Sequence, residues 1–195
     1  KNESLKGIDY LDVIYHAIVN KQVLSMKYRS FKARSASTFM FHPYLLKEYR
    51  NRWFVFGIRQ GSSTLVNLAL DRIHHLEIAK GETYKENTLF DLTTFFDDLV
   101  GVTKNRGSKA EVVRFQVNPQ NAPYVETKPL HKSQRIVERL KNGDIIFEIK
   151  VVINQELQRE IFGFAEGIKV LSPPSLVHFM ASKLRSATKL YDEKE

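Results

Sequence analysis

The segment His42–Ile78 constrains the fold most, because apolar and polar residues alternate along it between closely spaced turn residues. Its sequence is HPYLLKEYRNRWFVFGIRQGSSTLVNLALDRIHHLEI. The alternation predicts three consecutive strands, at Arg52–Arg59, Thr64–Leu70 and Ile73–Ile78. A chain with this run of short strands has to build a sheet here.

One helix and two further strands precede these three. Residues 8–21 place apolar side chains at helical spacing, with Asp9 as the N-cap. The period then changes to two, which predicts strands at Leu24–Tyr28 and at Thr38–Tyr44, the second closed by Pro43. Five short strands after one helix indicate a small, strongly bent sheet or barrel.

The second half of the chain has a different, regular order of elements. We expect a short amphipathic helix at Asp91–Leu99 and a polar, glycine-containing linker at residues 101–109. Beyond the linker, the patterns and an Asn142-Gly143 hairpin turn predict the order β-α-β-β-α-β, which is ferredoxin-like, and a final helix after Pro173-Pro174. The six elements are Ala110–Val117, Pro119–Val125, Ser133–Leu140, Asp144–Ile153, Gln155–Glu166 and Gly167–Leu171.

These elements define the predicted fold class and domains. We expect an α+β protein with a small barrel after an N-terminal helix, then a ferredoxin-like domain and a C-terminal helix. The segments are an N-terminal helix and linker at 1–21, the barrel domain and following helix at 22–100, the linker at 101–109, and the ferredoxin-like part at 110–195.

The positive charge of the chain is concentrated in its first half. Residues 21–72 contain ten lysines and arginines but two acids, so their net charge of +8 equals that of the whole chain. No acid occurs between Lys21 and Lys47. An excess confined to an aromatic-rich block of strands favours a surface that binds phosphates, although a solvated basic face without a ligand would have the same composition.

Composition excludes several classes of protein. With 43% hydrophobic and 27% charged residues, the chain can bury a core and is not expected to be disordered. The sequence contains neither an apolar run long enough for a membrane span nor a secretion signal. The absence of cysteine suits a reducing cytosol, and we expect a cytoplasmic protein.

Catalysis and metal binding have little support in the sequence. No metalloprotease, serine-hydrolase, zinc or phosphate-loop motif is present. His74 and His75 are adjacent on a predicted strand, so they point to opposite faces and cannot share a metal. We therefore expect no enzymatic activity, no catalytic residue, no metal and no cofactor.

The strand Arg52–Arg59 offers a surface suited to nucleotides. Its two faces are Phe54, Phe56 and Ile58, predicted to be core, and Trp53, Val55, Gly57 and Arg59. On the second face a base could stack on the indole while the guanidinium holds a phosphate. Trp53 by itself is better explained as a core aromatic, because small barrels bury much of both faces.

Two residues near strand ends are stronger ligand candidates, because strand ends open onto loops. They are Tyr28 and Arg72. The alternative role for Arg72 is an ion pair with Asp71, which would have to be indirect because adjacent strand residues face opposite ways.

The ordered set of motifs resembles a WYL domain. Trp53-Phe54-Val55 stands for its aromatic strand motif, and Leu70-Asp71-Arg72-Ile73 matches its second signature. Tyr28, Pro43 and the opening helix also fall where the family has them. Residues 110–190 are similar to the C-terminal extension that follows this domain, including Pro129-Leu130-His131, Ser133-Gln134 and Val170-Leu171-Ser172-Pro173.

The resemblance implies the effector region of a bacterial transcription regulator, in which a missing N-terminal helix-turn-helix would contact promoter DNA. It further implies an Sm-like, SH3-type barrel, and a ligand that is single-stranded nucleic acid or a nucleotide. Phe54 and Val55 depart from the motif and remove a tyrosine hydroxyl. The candidate ligand-binding residues are Tyr28, Arg29, Ser30, His42, Arg52, Trp53, Arg59 and Arg72.

Two other functions remain open. The barrel could sense a different small anionic ligand in a pocket. Alternatively, the chain could act as a homodimerisation module through its ferredoxin-like part, and a homodimer is expected in any case.

Overall fold

A computed structural model describes residues 6–192 of the chain. Residues 1–5 and 193–195, the ends of the first and last predicted segments, lie outside this range. The chain divides into two compact units, Lys1–Thr94 and Phe95–Glu195, and each contains its own sheet. Within the described range, no helix combines the length and the apolar character needed to cross a bilayer.

The first unit is a five-stranded antiparallel sheet with one α-helix, α1 (Leu11–Val19). The strand order in the sheet is β4-β3-β2-β1-β5. A 3-10 turn at Leu70–Arg72 connects β4 to β5 along the chain. In the described residues no hydrogen-bonded ladder joins β4 to β5, so the sheet is not closed into the predicted barrel. The strands are β1 (Leu24–Tyr28), β2 (Ser37–Tyr49), β3 (Arg52–Arg59), β4 (Val66–Ala69) and β5 (Ile73–Ile78).

Strand β2 does not end at Pro43, contrary to the prediction from sequence. It continues to Tyr49, and its pairing with β3 shifts register between Pro43 and Leu45. A proline cannot donate to a sheet ladder, but an irregularity in the pairing accommodates it. The strand then turns directly into β3 through Arg50 and Asn51, whose φ angles of 51° and 60° are the left-handed values of a tight hairpin.

Both faces of the first sheet are covered. The core next to α1 contains Val55, which is fully buried, and Trp53 packs against it. Phe56 and Ile58 on the opposite face are also buried. The face with Phe56 and Ile58 is buried as predicted, and the other face is buried as well because α1 packs on it, which agrees with the interpretation of Trp53 as a core aromatic.

The predicted helix at Asp91–Leu99 is absent, and the segment forms consecutive turns. The carboxylate of Asp91 accepts hydrogen bonds from the backbone N–H and the hydroxyl of Thr93, at 2.7 and 2.6 Å. Such local bonds compete with helical ones, and the β-branched and aromatic residues that follow have low helix propensity.

The second unit has the element order β-α-β-β-α-β, followed by a long helix. Its antiparallel sheet has the strand order β7-β8-β6-β9, and the helices cover one face around a core that includes Phe115 and Phe147. Helix α3 begins at Gln155 as predicted, because the side chain of Asn154 accepts a hydrogen bond from the Leu157 N–H at 2.8 Å. The elements are β6 (Glu111–Val117), α2 (Ala122–Thr127), β7 (Arg135–Arg139), β8 (Ile145–Val151), α3 (Gln155–Phe162), β9 (Ile168–Ser172) and α4 (Pro174–Asp192).

Candidate ligand-binding surface

The 3-10 turn at Leu70–Arg72 positions the strongest candidate side chain. Leu70 anchors the turn in the core with 1% of its surface exposed. Gly7, at a φ of 86°, packs against the backbone of the turn so closely that a Cβ atom would lie 2.7 Å from the amide nitrogen of Asp71. The backbone of the turn is therefore held from both sides, which fixes the position of the Arg72 Cα atom.

Arg72 is joined to the loop after β1. Its carbonyl oxygen accepts a hydrogen bond from the Arg29 N–H at 3.2 Å. The pairing of β1 with β5 shifts register between Lys27 and Tyr28, just before this loop begins. Such irregularities redirect the chain at functional sites. Here the shift precedes a loop that carries Arg29 and Phe31 beside the turn.

The guanidinium of Arg72 lies over the ring of Phe31, with 3.7 Å between its Cζ atom and the ring centroid. Phe31 is nonetheless 75% exposed. The Nε atom of Arg72 is buried and has no hydrogen-bond partner in the described part of the chain. A buried donor normally has a partner, so this unused one beside an exposed ring is an exception to the usual pattern.

Asp71 does not neutralise Arg72. Its carboxylate instead pairs with Arg52, at 3.1 Å between Arg52 Nη2 and Asp71 Oδ2. The alternative role considered for Arg72, an ion pair with its neighbour, is therefore not observed. Because Asp71 pairs with Arg52, this neighbour does not neutralise the charge of Arg72.

His42 serves the fold on the other face of the sheet. It is 4% exposed, and its Nδ1 accepts a hydrogen bond from the Lys85 N–H at 3.1 Å. The Tyr84 hydroxyl donates to the carbonyl of Pro43 at 2.6 Å. Burial, followed by the charge of Lys85, lowers the pKa of His42, and burial raises the pKa of Tyr84. His42 therefore fixes the segment after β5 over this face.

A family model for the WYL domain matches residues 9–78, and one for the WCX domain matches residues 109–188. The chain is a WYL domain followed by a WCX domain. The turn with Arg72, its loop partner Phe31 and the buried His42 all belong to the WYL domain.

The chain is similar to several solved structures, including these two. One is proteasome accessory factor B/C (PafBC) of Arthrobacter aurescens, with 17% identity and a TM-score of 0.38 over 96% of this chain and 28% of that chain. The other is a CRISPR Cas-related protein, with 13% identity and a TM-score of 0.54 over 93% of this chain and 50% of that chain. The chain thus spans half or less of each, and the second likeness shows a shared fold. Among curated proteins, none matches the sequence significantly.

The WYL domain distributes the eight predicted residues over separate places. Arg29, Ser30 and Arg72 lie at the loop and the turn, with Arg52 connected through Asp71. Arg59 lies at the opposite end of β3 from Arg52, roughly 23 Å along the strand. The remaining residues are packed or engaged: Tyr28 in the core, Trp53 against it, His42 under the segment after β5, and Arg59 with its guanidinium over the Phe39 ring at 4.0 Å.

Phe31 is the residue that sequence reasoning missed. It lies between the predicted strands Leu24–Tyr28 and Thr38–Tyr44, in a polar, basic segment where a ligand contact by an aromatic side chain is not expected. The signal that could have found it is a phenylalanine surrounded by Arg29, Lys32 and Arg34 in a stretch without acids. An aromatic that is not needed for the core, set among cations, is typical of a stacking platform.

Proposed function

We propose that the WYL domain binds single-stranded nucleic acid or a nucleotide, with a phosphate on Arg72 and a base on Phe31. The chain would then be the ligand-sensing effector region of a bacterial transcription regulator, acting in the cytoplasm. The observation that carries the proposal is the exposed Phe31 ring under the Arg72 guanidinium, whose Nε has no protein partner. A phosphate would bind the outer N–H groups of this half-buried guanidinium, since Nε itself is covered.

The charge around the turn supports an anionic ligand. Asp71, the acid next to Arg72 in sequence, pairs with Arg52, and Lys32 and Arg34 lie exposed in the same loop as Phe31. A base that stacks on the free side of the phenyl ring leaves its phosphate near these cations. Stacking and phosphate contacts together are the usual basis of single-strand binding.

We infer binding without catalysis, metal or cofactor. In residues 6–192, no group of three or more histidine, aspartate or glutamate side chains is arranged to hold a metal ion. The groups at the proposed site are cationic and aromatic, and they suit recognition of a phosphate and a base. A different small anionic ligand would use the same guanidinium but gain nothing from Phe31.

We also propose that the chain forms a homodimer. The last turns of α4 carry apolar side chains that the second unit leaves uncovered, with Leu190 73% and Tyr191 90% exposed. Apolar residues of this size usually become covered in an assembly. Light scattering after gel filtration tests this, and a monomer at micromolar concentration would exclude it.

The finer fold assignments form part of the proposal. The order β4-β3-β2-β1-β5, with a 3-10 turn between β4 and β5, supports an Sm-like or SH3-type arrangement for the first unit. The order β7-β8-β6-β9 with the β-α-β-β-α-β connectivity supports a ferredoxin-like second unit.

Fluorescence anisotropy tests the binding proposal. The probes are a labelled ten-nucleotide oligo-dT and, in competition, ATP and inorganic phosphate. We expect Arg72→Ala to weaken oligonucleotide binding roughly 30-fold, about 2 kcal/mol. The matched control, Arg106→Ala, removes an exposed arginine in the second unit and should leave affinity unchanged.

Salt dependence identifies the ligand class. Several phosphate contacts predict a steep linear fall of log affinity with log salt, whereas one bound nucleotide gives a shallow slope. Equal loss of affinity in Arg72→Ala and Arg106→Ala would indicate non-specific electrostatic attraction and would contradict the proposed binding site at Arg72.

A further inference from the structure

The sheet of the second unit has one face that the helices do not cover. Along β6 and β8, residues alternate between the core and this outer face. The pairing of β7, β8 and β6 places Arg135, Glu148 and Arg114 side by side in one row across the outer face. A carboxylate thus lies between two arginines.

Glu148 holds both arginines. It is 8% exposed, and its Oε2 accepts from Arg114 Nε at 2.7 Å, while its Oε1 accepts from Arg135 Nε at 3.0 Å and Nη2 at 2.6 Å. The hydrogen bonds from Arg114 and then Arg135 lower the pKa of Glu148, so the carboxylate stays ionised at neutral pH. The shared carboxylate therefore fixes the positions of both guanidinium groups.

The outer ends of these guanidinium groups remain accessible. The side chains of Arg114 and Arg135 are 50% and 66% exposed. Between residues 6 and 192, the Nη atoms of Arg114 and the Nη1 of Arg135 make no hydrogen bond or ion pair with another residue. Two charges with one shared counter-ion leave a net positive charge and unused donors on the surface.

The face has a basic end near Arg114 and a mixed end near the β7–β8 hairpin, where Lys169 of β9 lies exposed beside Gln116. Lys150 pairs with Val112 in the row next to Arg114, and both are exposed. The acids Glu138 and Asp144 lie towards the β7–β8 hairpin, where the carboxylate of Asp144 accepts from Gln116 Nε2 at 2.5 Å. The basic end therefore combines three cations with an aliphatic side chain.

Aromatic rings are absent from the outward positions of β6 and β8. These positions are Val112, Arg114, Gln116, Ile146, Glu148 and Lys150. A base cannot stack on such a surface, which separates it from the Phe31 site. Aliphatic side chains beside fixed arginines instead suit a peptide that carries both carboxylates and aliphatic groups.

We propose that this face of the WCX domain is a docking surface for an acidic, aliphatic segment of a partner protein. Carboxylates of the segment bind the outer N–H groups of Arg114 and Arg135, with Lys150 adding to the attraction. Its aliphatic side chains cover Val112 and Ile146. Glu148 is the positioning residue, since it holds both arginines in place without contacting the segment.

The probe is a fluorescein-labelled peptide of eight alternating glutamate and leucine residues, measured by anisotropy with the full chain. We expect Arg114→Ala and Arg135→Ala each to weaken binding by about tenfold or more. Lys141→Ala, which removes an exposed cation at the β7–β8 hairpin, should have no effect. Arg72→Ala should also have none, so that failure here and failure of the proposed WYL ligand are distinguished.

Glu148→Gln separates positioning from net charge. The substitution makes the surface more positive, so simple electrostatic attraction predicts tighter peptide binding. Loss of the shared carboxylate frees both arginines, and the proposal predicts weaker binding. Circular dichroism confirms that the variant is folded, and if it is not, the two arginine variants decide alone.

Two results would overturn the proposal. One is no peptide binding at concentrations on the order of 1 mM. The other is oligo-dT that competes with the peptide and depends on Arg114 and Arg135, which would make the face a nucleic-acid surface.

Discussion

The guanidinium of Arg72 remains available to a ligand because the neighbouring Asp71 pairs with Arg52 instead. Asp71 is bound by Arg52, and the backbone of the turn is fixed by Leu70 in the core. The guanidinium lies over Phe31 while its Nε has no partner in the described structure. An arginine held in this way loses little side-chain entropy when it binds a phosphate, because its position is already set.

Phe31→Ala should weaken oligonucleotide binding by about 1–3 kcal/mol, the usual value of one stacked base. Because Phe31 is 75% exposed, the melting temperature should hardly change. Phe31→Tyr keeps the ring and should bind as the wild type does. Anisotropy and thermal melts on the three proteins check this. If Phe31→Ala binds normally, the ring is not a stacking platform.

Arg72→Lys should recover only part of the binding that Arg72→Ala loses. A lysine ammonium keeps the charge but cannot make two parallel hydrogen bonds to one phosphate, and it does not stack on Phe31 as a planar group does. Paired affinity and melting measurements distinguish a ligand role from a structural one. A large fall in melting temperature with unchanged affinity would assign Arg72 to the fold.

The segment after β5 depends on a hydrogen bond that pH can remove. Lys85 N–H donates to His42 Nδ1, so protonation of that nitrogen abolishes the bond. The charges around the ring are Lys85, which lowers the pKa of His42 further, and Glu82, which raises it. Tyr84 lies beside the ring and Tyr44 lies beside Tyr84, and both stay neutral because burial raises the pKa of each.

Acidification should therefore loosen this segment. The folded pKa of His42 lies below the ordinary 6.5, so the unfolded chain takes up the proton first. The stabilisation is complete above about pH 6.5 and is lost as pH falls through the folded pKa. Hydrogen exchange at the Lys85 amide should accelerate between pH 7.5 and 5.5, after correction for intrinsic rates.

His42→Asn provides the control for this prediction. The asparagine carbonyl can accept the same N–H but does not titrate, so the corrected exchange at Lys85 should lose its pH dependence. His178→Asn, at an exposed position on α4, should behave as the wild type does. Identical pH dependence in His42→Asn and the wild type would show that another group controls the segment.

The alternation of apolar and polar residues predicted those strands whose conformation depends mainly on their own sequence. Strand β3 has the predicted bounds, and β5 begins at Ile73 as expected. The predictions failed where the local conformation depends on a contact distant in sequence or on a local side-chain hydrogen bond. The register shift that lets β2 continue through Pro43 depends on pairing with β3, and the Asp91 carboxylate replaces helical bonds.

The candidate site was predictable only in part for the same reason. The sequence pointed to Arg72 through a signature and a charge count. It could not show that Arg52, on the neighbouring strand β3, takes Asp71, because that pair is created by the fold. Phe31 was not found, since a stacking contact with Arg72 spans forty-one residues of sequence.

At the scale of the whole molecule, the charge distribution and the order of elements predict how the chain binds duplex DNA. The net charge of +8 is concentrated in the strands and loops of residues 21–72, and the described helices α1 and α2 do not form a helix-turn-helix, because α1 is followed directly by β1. We expect weak duplex binding without sequence preference, which weakens steeply with salt. A protected footprint at one defined sequence at physiological salt would contradict this.

Gly7 has a consequence for how the first unit can move. Its Cα lies directly on the backbone of the turn that carries Arg72, with no room for a single added carbon. Because the two backbone segments are in direct contact, neither can move towards the other without displacing it. A displacement of the turn would therefore be passed to Gly7 and to the 3-10 turn Ile8–Tyr10 that precedes α1.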